Sequence, residues 1–258
     1  MPLRPITDCR ILLTGASSGI GAALAEELAA GGGDLIVTAR RHEPLERLAA
    51  RHPGRVEAIP GDVTDPAHRA ALLEAVGRRW GALDLLVNNA GIGAMGAFVD
   101  ADPSRLRKVF ETNFFAPAEL ARGAFPLLSA GRRPAVMNVS SVLAHRAVPW
   151  KSEYCASKFA LHGLSDALRA EWKRSGIDVV LVSPSTTDSE FFDAAIEDTM
   201  GRRWKGRRAM PTTRVARESI RAWQRGRHEA FVSRSGRLLV WLDRLWPSLA
   251  DRMVARYG

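Results

Sequence analysis

The sequence predicts an α/β fold in which one parallel sheet is covered on both faces by helices. Three observations carry this. Short β-rich runs alternate with longer stretches of helical apolar spacing, and a glycine-rich turn joins the first run to the first helix. At 258 residues, 46% hydrophobic and 25% charged, the chain is long enough for one such domain with a substantial core. Taken in order, Arg10 to Thr14, Asp34 to Thr38, Arg55 to Ile59, Leu83 to Val87, Ala135 to Val139, Asp178 to Ser183 and Glu229 to Val232 read as strands. Between them Gly19 to Ala30, Glu43 to Arg51, Pro66 to Trp80, Ser104 to Leu128 and Ser152 to Arg174 are Ala- and Leu-rich with helical periodicity. Such a sheet places its ligand sites at the carboxyl ends of the strands.

No repeat, low-complexity tract or Pro/Gly/Ser-rich linker divides the chain. A single domain over residues 1–235 is expected, followed by a basic amphipathic segment at 236–258. The long irregular stretch 185–211 follows the sixth strand, where a substrate lid is the expected use of a loop of that length. Two cysteines, Cys9 and Cys155, supply neither a disulfide framework nor a Cys/His metal cluster, so no metal is expected. The amino-terminal run lacks a secretory pattern and no apolar stretch is long enough to span a bilayer, so a cytoplasmic protein is expected. These features exclude a secreted disulfide scaffold and a disordered chain.

Charge is unevenly placed. Residues 201–258 hold 15 Lys/Arg against 4 Asp/Glu, whereas residues 1–200 hold 22 against 24. An anionic partner is one reading. Decoration of solvated faces is the blander one, since 32 of the 37 basic residues are arginine. No nucleic-acid motif or aromatic stacking platform accompanies the charge, so no nucleic-acid partner is expected.

The segment TGASSGIG, Thr14 to Gly21, lies between the first strand and the first helix. Gly15 suits the tight turn, Gly19 the close approach of a pyrophosphate and Gly21 close helix packing, with helix amide groups turned to the phosphates. Gly15, Ser17, Ser18, Gly19, Ile20 and Gly21 are therefore the expected cradle of a dinucleotide. The second strand ends in VTARR, with Ala39 and Arg40 where a NAD site would usually offer a carboxylate. A guanidinium there pairs with a 2′-phosphate, which favours NADP(H) over NAD(H). Arg41 is the second candidate for that contact.

Tyr154 and Lys158 are four apart on a predicted helix and so face one pocket. An ammonium beside a phenol is expected to lower the phenol's pKa and fit it for proton transfer to a carbonyl or from an alcohol. Five motifs in order, TGASSGIG at 14–21, GDVTD at 61–65, NNAG at 88–91, NVSS at 138–141 and YCASK at 154–158, make the chain resemble the short-chain dehydrogenase/reductase family nearly as far as Val232. The resemblance implies a Rossmann-like, doubly wound sheet of seven parallel strands binding a nicotinamide cofactor. By it Asp62 and Val63 face the adenine, and Asn89, Ala90 and Gly91 line the groove. Ser141 polarises the substrate oxygen, Asn113 supports a proton relay, and Lys158 also binds the nicotinamide ribose. Pro184, Thr187 and Ser189 would sit at the nicotinamide, although VSPSTTDS departs from the family's Pro-Gly and threonine: Ser185 replaces the glycine and would be strained if that position needs positive φ. His145 reads as a loop residue rather than a second acid.

Leu143, Trp150, Phe191 and Phe192, with Ile92, Met95 and Trp204, are the expected substrate walls, suited to a hydrophobic aldehyde, ketone or secondary alcohol. In the final segment Leu238, Trp241, Leu242, Leu245, Leu249 and Met253 follow helical spacing beside Arg237, Arg244, Arg252 and Arg256, and Pro247 kinks or restarts the helix. Packing on the domain, pairing between subunits and lying on an anionic membrane all fit this pattern. The expected protein is an NADP(H)-dependent oxidoreductase, a homodimer or homotetramer by family resemblance. A non-catalytic NADP-binding module is the alternative, against which the intact Ser141, Tyr154 and Lys158 argue.

Overall fold

The computed structural model describes residues 2–188, 191, 196 and 209–256. β1 (Arg10–Thr14), α1 (Gly19–Ala30), β2 (Asp34–Thr38), α2 (His42–Arg51), β3 (Val56–Ala58), α3 (Pro66–Trp80) and β4 (Leu85–Asn88) build the first half. α4 (Pro103–Phe110), α5 (Ala116–Ser129), β5 (Ala135–Val139), α6 (Ser152–Glu171) and β6 (Asp178–Ser183) build the second. β7 (Thr187–Asp188), β8 (Met210–Pro211), α7 (Thr212–Gln224), β9 (Glu229–Phe231), α8 (Arg234–Leu245) and α9 (Pro247–Ala255) complete the described chain.

The main sheet has seven strands in the order β3-β2-β1-β4-β5-β6-β9, all parallel. The order reverses between β1 and β4, where the loops after the strands diverge and open a crevice. Strands β4 and β5 are buried along their whole length, because helices cover both faces; their sequences therefore read as continuous apolar runs. One face packs Leu24, Leu28, Ile220 and Trp223 against the sheet, the other Leu72, Val76, Leu120 and Leu128.

The expected single helix from Ser104 to Leu128 is instead interrupted by a π-turn at Glu111–Phe115. Pro117 has no N–H to direct at the Asn113 carbonyl four residues back, so regular α-helix cannot pass through this point. The widened turn carries Asn113 inward, fully buried. The carboxyl end of the Ser152–Arg174 helix also tightens, into a 3₁₀ turn at Trp172–Ser175 ended by Gly176 at φ 70°.

β7 pairs in parallel with β8, so both ends of the stretch between Asp188 and Met210 are tied together. The lid expected at 185–211 otherwise lies mostly outside the described residues. Pro247 restarts the final helix as expected, and Arg146 braces the two halves by pairing with Asp243 at 2.8 Å and Asp251 at 2.6 Å. Among the described residues no helix is long and apolar enough to cross a membrane.

Candidate active site

The crevice above β1 and β4 is a cavity of about 810 Å³. Gly15, Ser17, Ser18, Gly19, Ile20 and Gly21 line it, with Arg40, Arg41, Asp62, Val63, Asn89, Ala90 and Gly91. The glycine loop is shaped by steric necessity. Gly15 has φ +72°, and a methyl there would lie 2.8 Å from Ala90 Cα; one on Gly21 would lie 2.1 Å from the Gly15 carbonyl oxygen. Asn89 Nδ2 donates to the carbonyls of Thr14 and Gly15 at 3.1 and 3.0 Å, while Thr14 Oγ1 accepts from the amides of Asn89 and Ala90, both at 3.1 Å. The Asn-Ala-Gly turn thus holds the loop from below, and Thr14 is a positioning residue that sequence reasoning passed over.

Ala39 and Arg40 line the cavity at the end of β2, and no carboxylate stands there. Arg41 bends back over the loop, donating to the Ser17 hydroxyl at 3.3 Å and the Ser17 carbonyl at 3.4 Å. Asp62 accepts from the Thr64 amide and hydroxyl, each at 2.9 Å, which fixes the turn that presents Val63.

Ser141, Tyr154 and Lys158 meet at the other end of the same cavity. Ser141 hydrogen-bonds the Tyr154 phenol and accepts from the Leu143 amide at 3.1 Å, which holds its hydroxyl at the end of β5. Lys158 Nζ donates to the Val139 carbonyl at 3.0 Å and lies 5.8 Å from the Tyr154 ring centroid. Asn113 donates to the Ile92 carbonyl and Ser157 Oγ, both at 3.0 Å, and accepts from the Ile92 amide at 2.9 Å. A methyl on Gly91 would be 3.1 Å from Asn113 Oδ1, 3.6 Å from Lys158 Nζ and 3.7 Å from Phe191, so these groups surround one small space.

The pKa expectation needs correction. Burial pushes the Tyr154 phenol up, not down, and its hydrogen bond to Ser141 offsets this only in part. Burial also brings the Lys158 ammonium down to about 8. Both groups are removed from water, and desolvation exceeds what a cation held on Val139 can do for the phenol. Tyr154 is consequently a held proton donor.

Leu143 and Phe191, two of the expected substrate walls, both line the cavity, and Phe191 meets Tyr154 edge-on with ring centroids 5.7 Å apart. Ile92, Pro184, Ser185 and Thr187 also line the space. Ser185 does not take positive φ and carries no such strain. Trp150 is a correction: it does not line the cavity. Its backbone turns at φ 67° and its carbonyl accepts from Gly96 at 2.9 Å, so this residue joins the Met95–Gly96 loop while Val148, Pro149 and Lys151 form the wall. Met95 is buried outside the cavity. Ser189, Phe192 and Trp204 lie outside the described residues.

Sequence reasoning missed the wall made by the final helices: Ser235, Gly236 and Leu239 of α8 and Met253 and Val254 of α9. His145, expected as a loop residue, braces the Ser141 turn. Its Nε2 lies 2.7 Å from Glu229 Oε1, which also accepts from Ser183 at 2.8 Å. Burial raises the Glu229 carboxyl, but these hydrogen bonds outweigh it and hold the pKa below the usual range.

A family profile described as short chain dehydrogenase matches residues 10–199. The chain belongs to the short-chain dehydrogenase/reductase family. It is 35% identical over 188 residues to bovine (Bos taurus) dehydrogenase/reductase SDR family member 7B, a match covering 69% of this chain and 58% of that protein. It is 34% identical over 183 residues to a 3-ketodihydrosphingosine reductase of Bacteroides thetaiotaomicron, covering 71% of this chain and 65% of the relative. The chain thus spans somewhat under two thirds of these relatives' lengths. In fold it resembles a family member from Burkholderia phymatum crystallised with NAD (TM-score 0.85, 23% identity, 96% of each chain). It resembles equally one from Burkholderia cenocepacia crystallised with NADP (TM-score 0.84, 24% identity, 97% of this chain and 99% of the other).

Proposed function

We propose that this protein is an NADP(H)-dependent oxidoreductase that interconverts a carbonyl and a secondary alcohol of a hydrophobic small molecule. The observation that carries the reading is one cavity with two chemically distinct ends: a glycine cradle with Arg40 at one, and Ser141, Tyr154 and Lys158 at the other. Glycine at 15 and 21 lets the loop lie against Asn89 and Ala90, where a side chain would collide, and the loop so placed borders the cavity with Ser17, Ser18 and the first turn of α1, whose hydroxyls and free amides suit the phosphates of a dinucleotide. Gly15 to Gly21, Asp62, Val63 and Asn89 to Gly91 would hold its adenosine and pyrophosphate, with Pro184 and Thr187 at the nicotinamide. Arg40, assisted by Arg41, supplies charge for a 2′-phosphate at the end of β2, where the sequence has Ala39 and Arg40 in place of an acid. When bound, the nicotinamide donates or accepts the hydride at the substrate carbon.

In the reducing direction Ser141 donates a hydrogen bond to the substrate oxygen and Tyr154 delivers its proton there as the C=O π bond becomes C–H and O–H. The high phenol pKa suits this direction, because the proton is present at neutral pH. Lys158 would hold the ribose of the bound cofactor and, beside the anion left on Tyr154, stabilise it; the ammonium proton that it returns to the phenolate is replaced by one from solvent. Asn113 keeps the Ile92 turn and Ser157 in place beside that relay. Leu143, Phe191 and the apolar walls favour a lipophilic substrate; the sphingoid-ketone activity named for the Bacteroides relative is of that class.

The test is turnover of hydrophobic aldehydes and ketones with NADPH against NADH, with Tyr154→Phe alongside. NADPH-preferring turnover that vanishes in the variant is the expected result. Cofactor binding without turnover would instead point to the non-catalytic module.

A further inference from the structure

Helices α8 and α9 present opposite faces of different character. Gly236, Val240, Ala250 and Val254 are buried toward the domain. Outward, Leu238 is 70% exposed, Trp241 53%, Leu245 60% and Trp246 61%, and Leu249 and Met253 continue the surface on α9. Leu238, Trp241 and Leu245 share one face by helical spacing, as do Leu249 and Met253. An apolar surface of this extent facing water marks an interaction site.

Its charge is one-sided. Arg234, Arg237, Arg244, Arg252 and Arg256 are exposed beside these residues. The two acids of the helices, Asp243 and Asp251, are both engaged by Arg146 from the domain. None of the five arginines forms an ion pair with a described residue; Arg237 stacks on Phe231 and Arg252 bonds the Ser248 carbonyl. The face therefore carries uncompensated positive charge around tryptophan and leucine. Two copies meeting through it would bring like charges together. An anionic bilayer surface takes both features, with guanidinium groups at the phosphates and indole and leucyl side chains below them.

Position links this face to the cavity. Met253 is 42% exposed on the outer surface and also lines the cavity, with Leu239 and Val254 behind it. We propose that the outer face of α8 and α9 docks on an anionic lipid bilayer, setting the substrate end of the cavity against the membrane so that a lipophilic carbonyl compound passes directly from lipid into the site. The passage of substrate rests on the oxidoreductase reading above; the docking does not.

The deciding experiment is co-sedimentation of the full chain with vesicles of phosphatidylcholine containing about one-third phosphatidylglycerol, against phosphatidylcholine alone. Binding to the anionic vesicles, weakened by salt, is expected. Trp241→Glu with Leu245→Glu should reduce the affinity by about tenfold or more, and Arg244→Glu with Arg252→Glu should do likewise. Both pairs lie outside the cavity lining, so NADPH binding by the variants should match the wild type and confirms that they fold. Absence of binding by the wild type, or equal binding by both variant pairs, overturns the proposal. So does a wild-type dimer that ignores vesicles and becomes monomeric in Trp241→Glu/Leu245→Glu, which would assign the face to a second copy. Vesicle binding without any NADPH turnover would leave the docking standing and fail the oxidoreductase reading instead.

Discussion

The two ends of the cavity are built on different terms. The cofactor end comes from residues 14–91, uses glycine and backbone amides, and tolerates almost no added atom: a methyl on Gly21 would sit 2.1 Å from a carbonyl oxygen. The end proposed for the substrate is lined by Leu143, Phe191, Leu239 and Met253, which are far apart in sequence and contribute replaceable apolar surface. A common ligand needs fixed backbone geometry, whereas a substrate needs only shape and polarity. The first end is therefore written in contiguous motifs and the second is not.

Substitutions can break this contrast at either end, and the largest effect falls on the reacting group at the end opposite the glycine cradle. Tyr154→Phe removes the proton donor and should lower kcat by about a thousandfold or more while leaving NADPH affinity unchanged, as single-turnover and binding measurements would show. Gly21→Ala forces the loop away from its carbonyl neighbour and should weaken NADPH binding by about a hundredfold in a fluorescence titration. A comparable methyl at the substrate end, Ile92→Val, should change KM by only a few fold for a panel of ketones. Arg40→Ser should bring the NADPH:NADH preference in kcat/KM down by about tenfold or more.

Lys158→Met probes stability rather than rate. The buried ammonium has a pKa brought down to about 8 from an ordinary 10.5. The folded state therefore binds its proton less tightly than the unfolded chain, and wild-type stability rises with pH between those values. Removing the charge should stabilise the cofactor-free protein by about 2 kcal/mol at pH 7 in denaturant titration, an advantage that shrinks above pH 8, while turnover is lost. A destabilised Lys158→Met protein at pH 7 would show that its bond to Val139 outweighs the burial of the charge.

Much of the sheet was legible because two-sided burial makes a parallel strand a continuous apolar run: β1, β2, β5 and β6 have the bounds expected of them. The π-turn at Asn113 was not, since the periodicity on either side is helical and only Pro117 marks the break. At the site, Tyr154 and Lys158 face one cavity as their spacing predicted and Ser141 joins them as the family resemblance implied, but the sign of the Tyr154 shift depends on burial, which spacing does not report. The packed face of the final helices was not legible for a related reason. Their large apolar residues fitted packing, pairing and membrane docking alike, whereas it is small Gly236 and Ala250 that pack on the domain because they permit close approach; a methyl on Gly236 would be 2.6 Å from Val142 Cγ1. Trp150 looked like a pocket aromatic, but its backbone at φ 67° commits it to a neighbouring loop.

The pairing of Thr187–Asp188 with Met210–Pro211 bears on how such a protein could change its substrate over evolutionary time. The two short strands pair with each other in a sheet of their own, so their spacing is set locally and apart from the seven-stranded sheet. Variation entering between the two short strands can therefore leave the register of the seven-stranded sheet as it is.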